Sequence, residues 1–326
     1  MTTSPPDIAD VRRAADRLSG LIVRTPLLES QALNERLGGR ILFKPETLQR
    51  TGSFKFRGAY NKLSSLPDAD RGRGVVAFSS GNHAQGVAAA AAMFGVRAVI
   101  AMPTDAPRTK MDNVRRLGGE IITFDRFRDD RVTVVRTWVE EGMALVPPFD
   151  DPFIIAGQGT IGLELMEQAA ALGVTLDAVL VPCGGGGMTS GISLAVKDAS
   201  PSTEMWAVEP EHFDDTRRSL ERGAPVANEP GHTSICDALL TPTPGDITLA
   251  INRRVLSGAV AVSEEAVRQA MREAMAHLKL VVEPGGSVGL AALLSGAVEL
   301  RGRTVAVILS GGNVDADVYA GILAEV

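Results

Sequence analysis

Residues 51–59, TGSFKFRGA, hold one lysine, Lys55, between Phe54 and Phe56, with a threonine, a glycine and a serine before it and Arg57 after it. A lysine in that setting has two outlets. Its stem can lie along the rings while the ammonium reaches water, or its amine can give up the charge in a covalent bond to a carbonyl compound. The stretch alone leaves both open, and the choice rests on what other chemistry the chain carries.

Three more stretches stand where an apolar run of strand length gives way to a helical pattern. In VPCGGGGMTSG, four consecutive glycines, Gly184 to Gly187, have amides free to converge on an anion at a helix N-terminus, and phosphate is the natural guest. No Lys-Ser/Thr pair follows, so this is not a Walker loop, and the spacing is wrong for a dinucleotide fingerprint. A tight turn packed on a helix is the other reading, although two glycines suffice for that. FSSGNHAQG presents Ser79, Ser80, Gly81, Asn82 and His83 at a strand end, where ligands sit in open α/β sheets. Two hydroxyls, a carboxamide and a fresh helix N-terminus suit a small carboxylate, but the same residues also make a helix cap. His83 reads there as a capping or packing residue before it reads as a base. VILSGGNVD ends a strand with Ser310, two glycines and Asn313. Together, a phosphate cradle, a lysine with aromatic neighbours and small polar groups at strand ends are the parts that bind pyridoxal phosphate through a Schiff base, here on Lys55.

The elements that must position these residues alternate. Strand-like GVVAFSS, RAVIAMP and EIITFD are each followed by a helical pattern, and after ALVPPFDD the sequence repeats the theme: helix GQGTIGLELMEQAAAL, strand DAVLVP, a helix to about residue 199, and strand MWAVEP. SEEAVRQAMREAMAHLK and GSVGLAALLSGAVEL follow as helices, then strand TVAVILS. Strand-then-helix repetition predicts parallel sheets flanked by helices, an α/β fold of two lobes with a cleft between them. Residues 223–247, rich in proline and glycine, read as a long irregular loop over the surface or cleft.

Bulk properties exclude other classes. A chain of 326 residues with 45% hydrophobic and 22% charged residues buries a substantial core. The net charge of −6 argues against a nucleic-acid partner, which needs a basic footprint. No apolar run follows the charges of the first twenty residues and no window reaches the length of a membrane span, so a cytoplasmic protein is expected. Cys183 and Cys236 are too few for a disulfide framework and lack metal-ligand spacing; buried or loop thiols are expected.

SFKFRGA, SSGNHAQG, AGQGT, CGGGGM and LSGGNVD, in that order from residue 53 to 315, make the chain resemble the fold-type II pyridoxal-phosphate enzymes, specifically the branch of serine/threonine dehydratases, serine racemase and hydroxyaspartate dehydratases. The resemblance implies two open parallel-sheet lobes of the tryptophan synthase β type, a large one of residues 1–50 and 147–326 and a small one of 51–146. It implies that Lys55 forms the Schiff base and later takes the α-proton, that Phe54 packs by the ring and Asn82 bonds its hydroxyl, and that the amides of Gly184, Gly185, Gly186, Gly187 and Met188 hold the phosphate. Ser310 meets the pyridine nitrogen. The substrate carboxylate falls to Ser79, Asn82 and His83, with Thr241 near it, and Ser80 matches the residue that acts on the opposite face in serine racemase.

The reaction so implied is elimination of water from threonine, serine or 3-hydroxyaspartate to give a 2-oxo acid and ammonia, with an amino-acid racemase that also dehydrates as the alternative. Arg131 matches an arginine approaching the active site in serine racemase and would clamp a second carboxylate, favouring hydroxyaspartate; its other reading is a solvated residue at a helix start. Glu209, the Phe213 carbonyl and Asp215, the last read as lying in a loop, match the oxygen ligands of a Mg²⁺ or Ca²⁺ ion in racemase-like members, against the plainer reading of an acidic first turn of a helix. Enzymes of this type are commonly homodimers with small amino-acid substrates. The chain ends soon after LSGGNVD, so the regulatory domain of isoleucine-controlled threonine dehydratases is not expected. Two rivals come from other classes: a nicotinamide-dependent oxidoreductase and a non-catalytic protein that binds a phosphate-bearing ligand.

Overall fold

A computed structural model describes residues 4–125 and 128–325, with the side chains of Arg131 and Val132 outside the described set. Its strands are β1 (Arg40–Pro45), β2 (Val75–Phe78), β3 (Ala98–Pro103), β4 (Glu120–Phe124), β5 (Ala144–Leu145), β6 (Ala178–Pro182), β7 (Glu204–Pro210), β8 (Gly258–Val262) and β9 (Thr304–Leu309). The helices are α1 (Ile8–Leu18), α2 (Gln31–Leu37), α3 (Lys55–Ser65), α4 (Asp68–Gly72), α5 (Asn82–Phe94), α6 (Arg108–Arg116), α7 (Arg131–Glu140), α8 (Pro152–Ala171), α9 (Gly187–Ala199), α10 (Asp215–Arg222), α11 (Asp246–Val255), α12 (Glu264–Glu273), α13 (Pro284–Leu294) and α14 (Ala316–Ala324).

The strands form two sheets, one of five in the order β1-β9-β6-β7-β8 and one of four in the order β4-β3-β2-β5. Every pairing within them is parallel. Helices cover both faces, which is why β2, β3 and β6 are buried along their whole length and read as unbroken apolar runs instead of alternating ones. The sequence pattern shows neither β1 nor β8. β1 (RILFKP) has its apolar run cut by Arg40 and by the buried Lys44, and β8 (GAVAV) is only partly buried at a sheet edge, so neither carries a strong period-two or continuous signal.

Glycines draw α8 against its neighbours. A Cβ on Gly157 would lie 2.7 Å from the Gly58 Cα of α3, and one on Gly191 of α9 would lie 2.2 Å from the Ile155 carbonyl oxygen. AGQGT is therefore a helix face built for close backbone approach. GSVGLAALLSGAVEL is helical only to Leu294: Pro284 opens α13 as its first residue and Gly296, at φ 74°, lies just past its end. Past α12 the chain makes a π-type turn, Ala274–Leu278, closed by Lys279 at φ 59°.

A buried ionic network anchors the segment that carries Lys55. Arg57 donates to both oxygens of Glu46, each at 2.8 Å, and to Glu164 Oε1 at 2.6 Å. Lys44 Nζ donates to Glu164 Oε2 at 2.6 Å and to the Thr25 carbonyl at 2.7 Å. Both cations are fully buried. β1, the turn after it, α3 and α8 are thus joined two residues from the candidate nucleophile.

Candidate active site

A cavity of about 460 Å³ opens between the two sheets, with Lys55, Ser79, Ser80, Asn82, the Gly184–Gly187 turn and Ser310 in its wall. Lys55 begins α3, and its Nζ donates to the Pro148 carbonyl at 2.8 Å and lies 5.1 Å from the centre of the Phe54 ring. Of the two phenylalanines next to it in the chain, Phe54 is the one that lies beside the amine. Phe56 is one position further round the helix, fully buried in the core around the four-stranded sheet and 5.7 Å from Tyr60. Burial lowers the Lys55 amine to about 8, against the opposing pull of the Glu283 carboxylate. An amine so depressed is part neutral near pH 7 to 8, as a nucleophile or base requires.

The glycine turn leads from β6 into α9, with Gly186 at φ 88° as the cap residue. A Cβ on Gly185 would lie 2.4 Å from the Phe149 ring, and one on Gly187 2.9 Å from the Phe149 carbonyl oxygen. Phe149 therefore requires bare backbone at both positions. The start of α9, buried and with no side chain capping its amides, borders the cavity, and this cradle fits a phosphate. Met188 follows in the first turn of α9, buried and also in the wall.

Phe149 belongs to a strap, residues 146–151, that sequence reading passed over as a connection. The Val146 carbonyl accepts from His83 Nε2 at 2.9 Å, and Pro148 takes Lys55. The Asp150 carboxylate accepts from the amides of Asp246, Ile247 and Thr248 at 3.0–3.1 Å and so caps α11. Asp151 caps α8 through the amides of Phe153 and Ile154, at 2.9 and 3.1 Å, and holds Lys62 at 2.6 Å. One strap thus registers the lysine, the histidine and two helices around the glycine turn.

Ser79 and Ser80 border the cavity, and Ser79 Oγ accepts from the Gly81 amide at 3.0 Å. The side chain of His83 is committed to Val146. A carbonyl only accepts, so Nε2 carries the proton and Nδ1 is a bare acceptor. Burial, with Lys55 adding to it, holds this imidazole down to about 3. It is therefore a neutral spacer, and what it offers an anion is the backbone amide at the start of α5. Asn82 is used at both ends: Oδ1 accepts from Asn313 Nδ2 at 2.9 Å and Nδ2 donates to Glu283 Oε1. The second hydrogen of Nδ2 remains for a ring hydroxyl. Phe54 packs in the core around the five-stranded sheet, its amide bonded to the Ser310 carbonyl at 3.1 Å.

Thr241 is in the cavity wall and connects to the predicted cation ligands. Asn228 Nδ2 donates to the Thr241 carbonyl at 2.8 Å and to Asp215 Oδ1 at 2.7 Å. Glu209, fully buried in β7, accepts from the Thr216 and Arg217 amides at 2.9 and 2.8 Å. Asp215 is the first residue of α10, so the loop position read from sequence is corrected: the helix starts early because Glu209 caps it from β7. Asp215 Oδ2 is buried without a partner. Burial pushes Asp215 up to about 7, and burial and then Asp215 push Glu209 well above the carboxylate range. Phe213 is buried between them in the chain. The Arg131 side chain lies outside the described residues. Lys110, Asp237 and Glu283, which also bear on the site, carry no motif; the only local sign is the proline after Glu283 that starts α13.

A family model described as pyridoxal-phosphate dependent enzyme matches residues 18–311. The L-threo-3-hydroxyaspartate ammonia-lyase of Pseudomonas sp is 44% identical over 315 residues, covering 96% of this chain and 97% of that one. Among solved structures, a threonine deaminase of T.th. shares 45% identity at a TM-score of 0.89, covering 95% of this chain and 99% of its own. Maize serine racemase shares 36% at 0.92, covering 97% and 96%. With the lysine, the phosphate cradle and these matches in agreement, the chain belongs to the pyridoxal-phosphate-dependent enzymes of the fold-type II class.

Proposed function

We propose that the cavity eliminates water from a small β-hydroxy amino acid and releases a 2-oxo acid and ammonia, with 3-hydroxyaspartate preferred over threonine and serine. The carbon–nitrogen lyase chemistry of dehydratase type is common to the hydroxyaspartate and threonine ammonia-lyases that the chain matches. The observation that carries the reading is Lys55: a depressed amine, held by the strap in the wall of a cavity that is also lined by serine hydroxyls and by the start of a helix. The preference for hydroxyaspartate is supported by two L-threo-3-hydroxyaspartate ammonia-lyases, from Pseudomonas sp and Saccharomyces cerevisiae, 44% and 42% identical over 96% and 98% of this chain. Oxo-acid release from hydroxyaspartate, threonine and serine tests it, and a higher kcat/KM on threonine overturns the preference.

Bound pyridoxal phosphate supplies an electrophilic carbon and an electron sink for the bonds at Cα. The chain does the rest. Ser79 and the first backbone amides of α5, those of Asn82 and His83, would take the substrate carboxylate, with Thr241 beside them. Lys55, whose depressed amine can be neutral near pH 8, would hold the cofactor and take the α-proton on Nζ. Ser310, in the cavity wall, would offer the pyridine nitrogen a neutral hydroxyl, which does not hold a proton there as a carboxylate does. Gly184–Gly187 and Met188 hold the phosphate, and Phe54 packs by the ring. Ser80, also in the wall, supports racemase activity as a second reading; enantiopure serine that yields oxo acid without D-isomer counts against it.

The division into a large lobe of 1–50 and 147–326 and a small lobe of 51–146 is supported by the two sheets, whose strands fall within those limits. Mg²⁺ or Ca²⁺ on Glu209, the Phe213 carbonyl and Asp215 is supported by the unpartnered Asp215 Oδ2 and by the raised carboxyls. The cation must displace a proton that Asp215 holds below about 7, so affinity is expected to rise between pH 6 and pH 8 by roughly tenfold. Calorimetric titration checks this, and a pH-independent affinity, or one unaltered in Asp215→Asn, removes the site. The ion would be structural or activating, not catalytic, and the Asn228 link from Asp215 to the Thr241 carbonyl supports the activating role. A homodimer in the cytoplasm completes the proposal, and light scattering tests the dimer. No helix among the described residues is long and apolar enough to cross a membrane.

A further inference from the structure

Lys110 is the second lysine in the cavity wall, and its side chain is only 1% exposed. A Cβ on Gly81 would lie 2.1 Å from Lys110 Cδ, so the stem runs pressed beneath the Ser79–Asn82 turn. The ammonium then crosses from α6, beside the four-stranded sheet, to two carboxylates that stand by the five-stranded sheet. Nζ lies 2.6 Å from Asp237 Oδ2 and 3.1 Å from Glu283 Oε2. The amide of the preceding Thr109 crosses the same gap to Asp315 Oδ1 at 3.2 Å.

Glu283 is the hub. It is wedged against Gly311, where a Cβ would lie 2.1 Å from its Oε1, and that oxygen accepts from Asn82 Nδ2. The amide of Asn82 is held from its other end by Asn313, whose Nδ2 also donates to the Thr51 carbonyl at 2.8 Å. One carboxylate therefore separates the Lys110 cation from the side chain offered to the cofactor ring.

Lys110 is a fixed charge and not a proton donor. Burial disfavours its charge, but Glu283 and Asp237 outweigh this and hold the ammonium above the usual lysine range. Burial raises the Glu283 carboxyl, and the Lys110 cation beside it pulls the other way. A buried carboxyl without one takes up a proton, and an oxygen that had accepted from Asn82 then competes with it as a donor.

We propose that Lys110 is a positioning residue: by spanning the cleft to Glu283 it keeps that carboxylate an acceptor for Asn82, and so fixes the Asn82 amide and the Ser79–His83 turn toward cofactor and substrate. The inference rests on the cavity being the pyridoxal-phosphate site. It makes engagement of the two halves of the molecule and orientation of the ring contact a single event.

The test uses holoenzyme of wild type, Lys110→Met, Glu283→Gln and the double variant, read by the absorption spectrum of bound cofactor, by kcat and KM, and by thermal melting. In Lys110→Met the yellow band is expected to lose intensity to the near-ultraviolet band and kcat/KM to fall by about a hundredfold, the scale of a misplaced reacting group. Glu283→Gln is expected to disturb the spectrum in its turn, because a carboxamide facing an ammonium must point its carbonyl there and its NH₂ at Asn82. The double variant needs no cation and is expected to recover the wild-type band ratio and about tenfold of the lost activity, a non-additivity that mere loss of packing does not produce. Additive effects in the double variant, or a wild-type spectrum in a folded Lys110→Met, overturn the proposal. If Lys110→Met does not fold, a double variant no nearer to wild type than Glu283→Gln overturns it. A wild type with no cofactor band fails at the earlier step and sinks the functional reading itself.

Discussion

Alanine in place of Lys55 is expected to abolish covalent attachment of pyridoxal phosphate while leaving the phosphate cradle able to bind it. The glycine turn is shaped by Phe149 and by α9, neither of which depends on the lysine. Borohydride reduction followed by mass analysis should add the cofactor to the wild-type chain and not to the variant. Oxo-acid formation should fall by roughly 10³–10⁴-fold, since the residue proposed to take the α-proton is lost with the attachment point. An equal mass shift in both proteins, or a variant within tenfold of wild type, defeats the assignment.

Methionine at Arg57 should be the most destabilising single change in the framework of the site. The guanidinium satisfies both oxygens of Glu46 and reaches Glu164 in a fully buried setting, and Lys44 bonds Glu164 alone of the two carboxylates. Removing one member of a buried ionic group strands the others, at about 3–5 kcal/mol. That is a large share of the total stability of an ordinary domain. The urea midpoint should move down accordingly, and cofactor should be lost early in the transition because Lys55 is two residues away. A midpoint within error of wild type shows that Lys44 and buried water suffice.

What was legible in the sequence is what is contiguous. Lys55 with its phenylalanine, the four glycines and the serine-asparagine turn each put chemistry into a few adjacent residues at a strand end, and the alternation of apolar runs with helical periods pointed to the parallel sheets. Phe56 looked equivalent to Phe54 because adjacency in sequence is not adjacency on a helix. Lys110, Asp237 and Glu283 were illegible for the opposite reason: they are single residues far apart in the chain that acquire meaning only when two sheets meet. The strap at 146–151 holds Lys55 and His83 through the carbonyls of Pro148 and Val146, and backbone acceptors leave no mark on residue type. The plainer reading, an acidic first turn, placed Asp215 correctly, and the loop reading failed because the residue that caps its helix, Glu209, lies back inside a strand.

Cys183 and Cys236 are both buried, and burial pushes Cys236 up to about 12 and Cys183 higher still, where Glu209 adds to the effect. Thiolate is the species that reacts with maleimides and iodoacetamides, so towards such reagents the folded native chain behaves as though it had no sulfhydryl. A dye attached to one cysteine engineered on the solvent face of α6 would then report movement of that helix alone, with no need to remove either natural residue first.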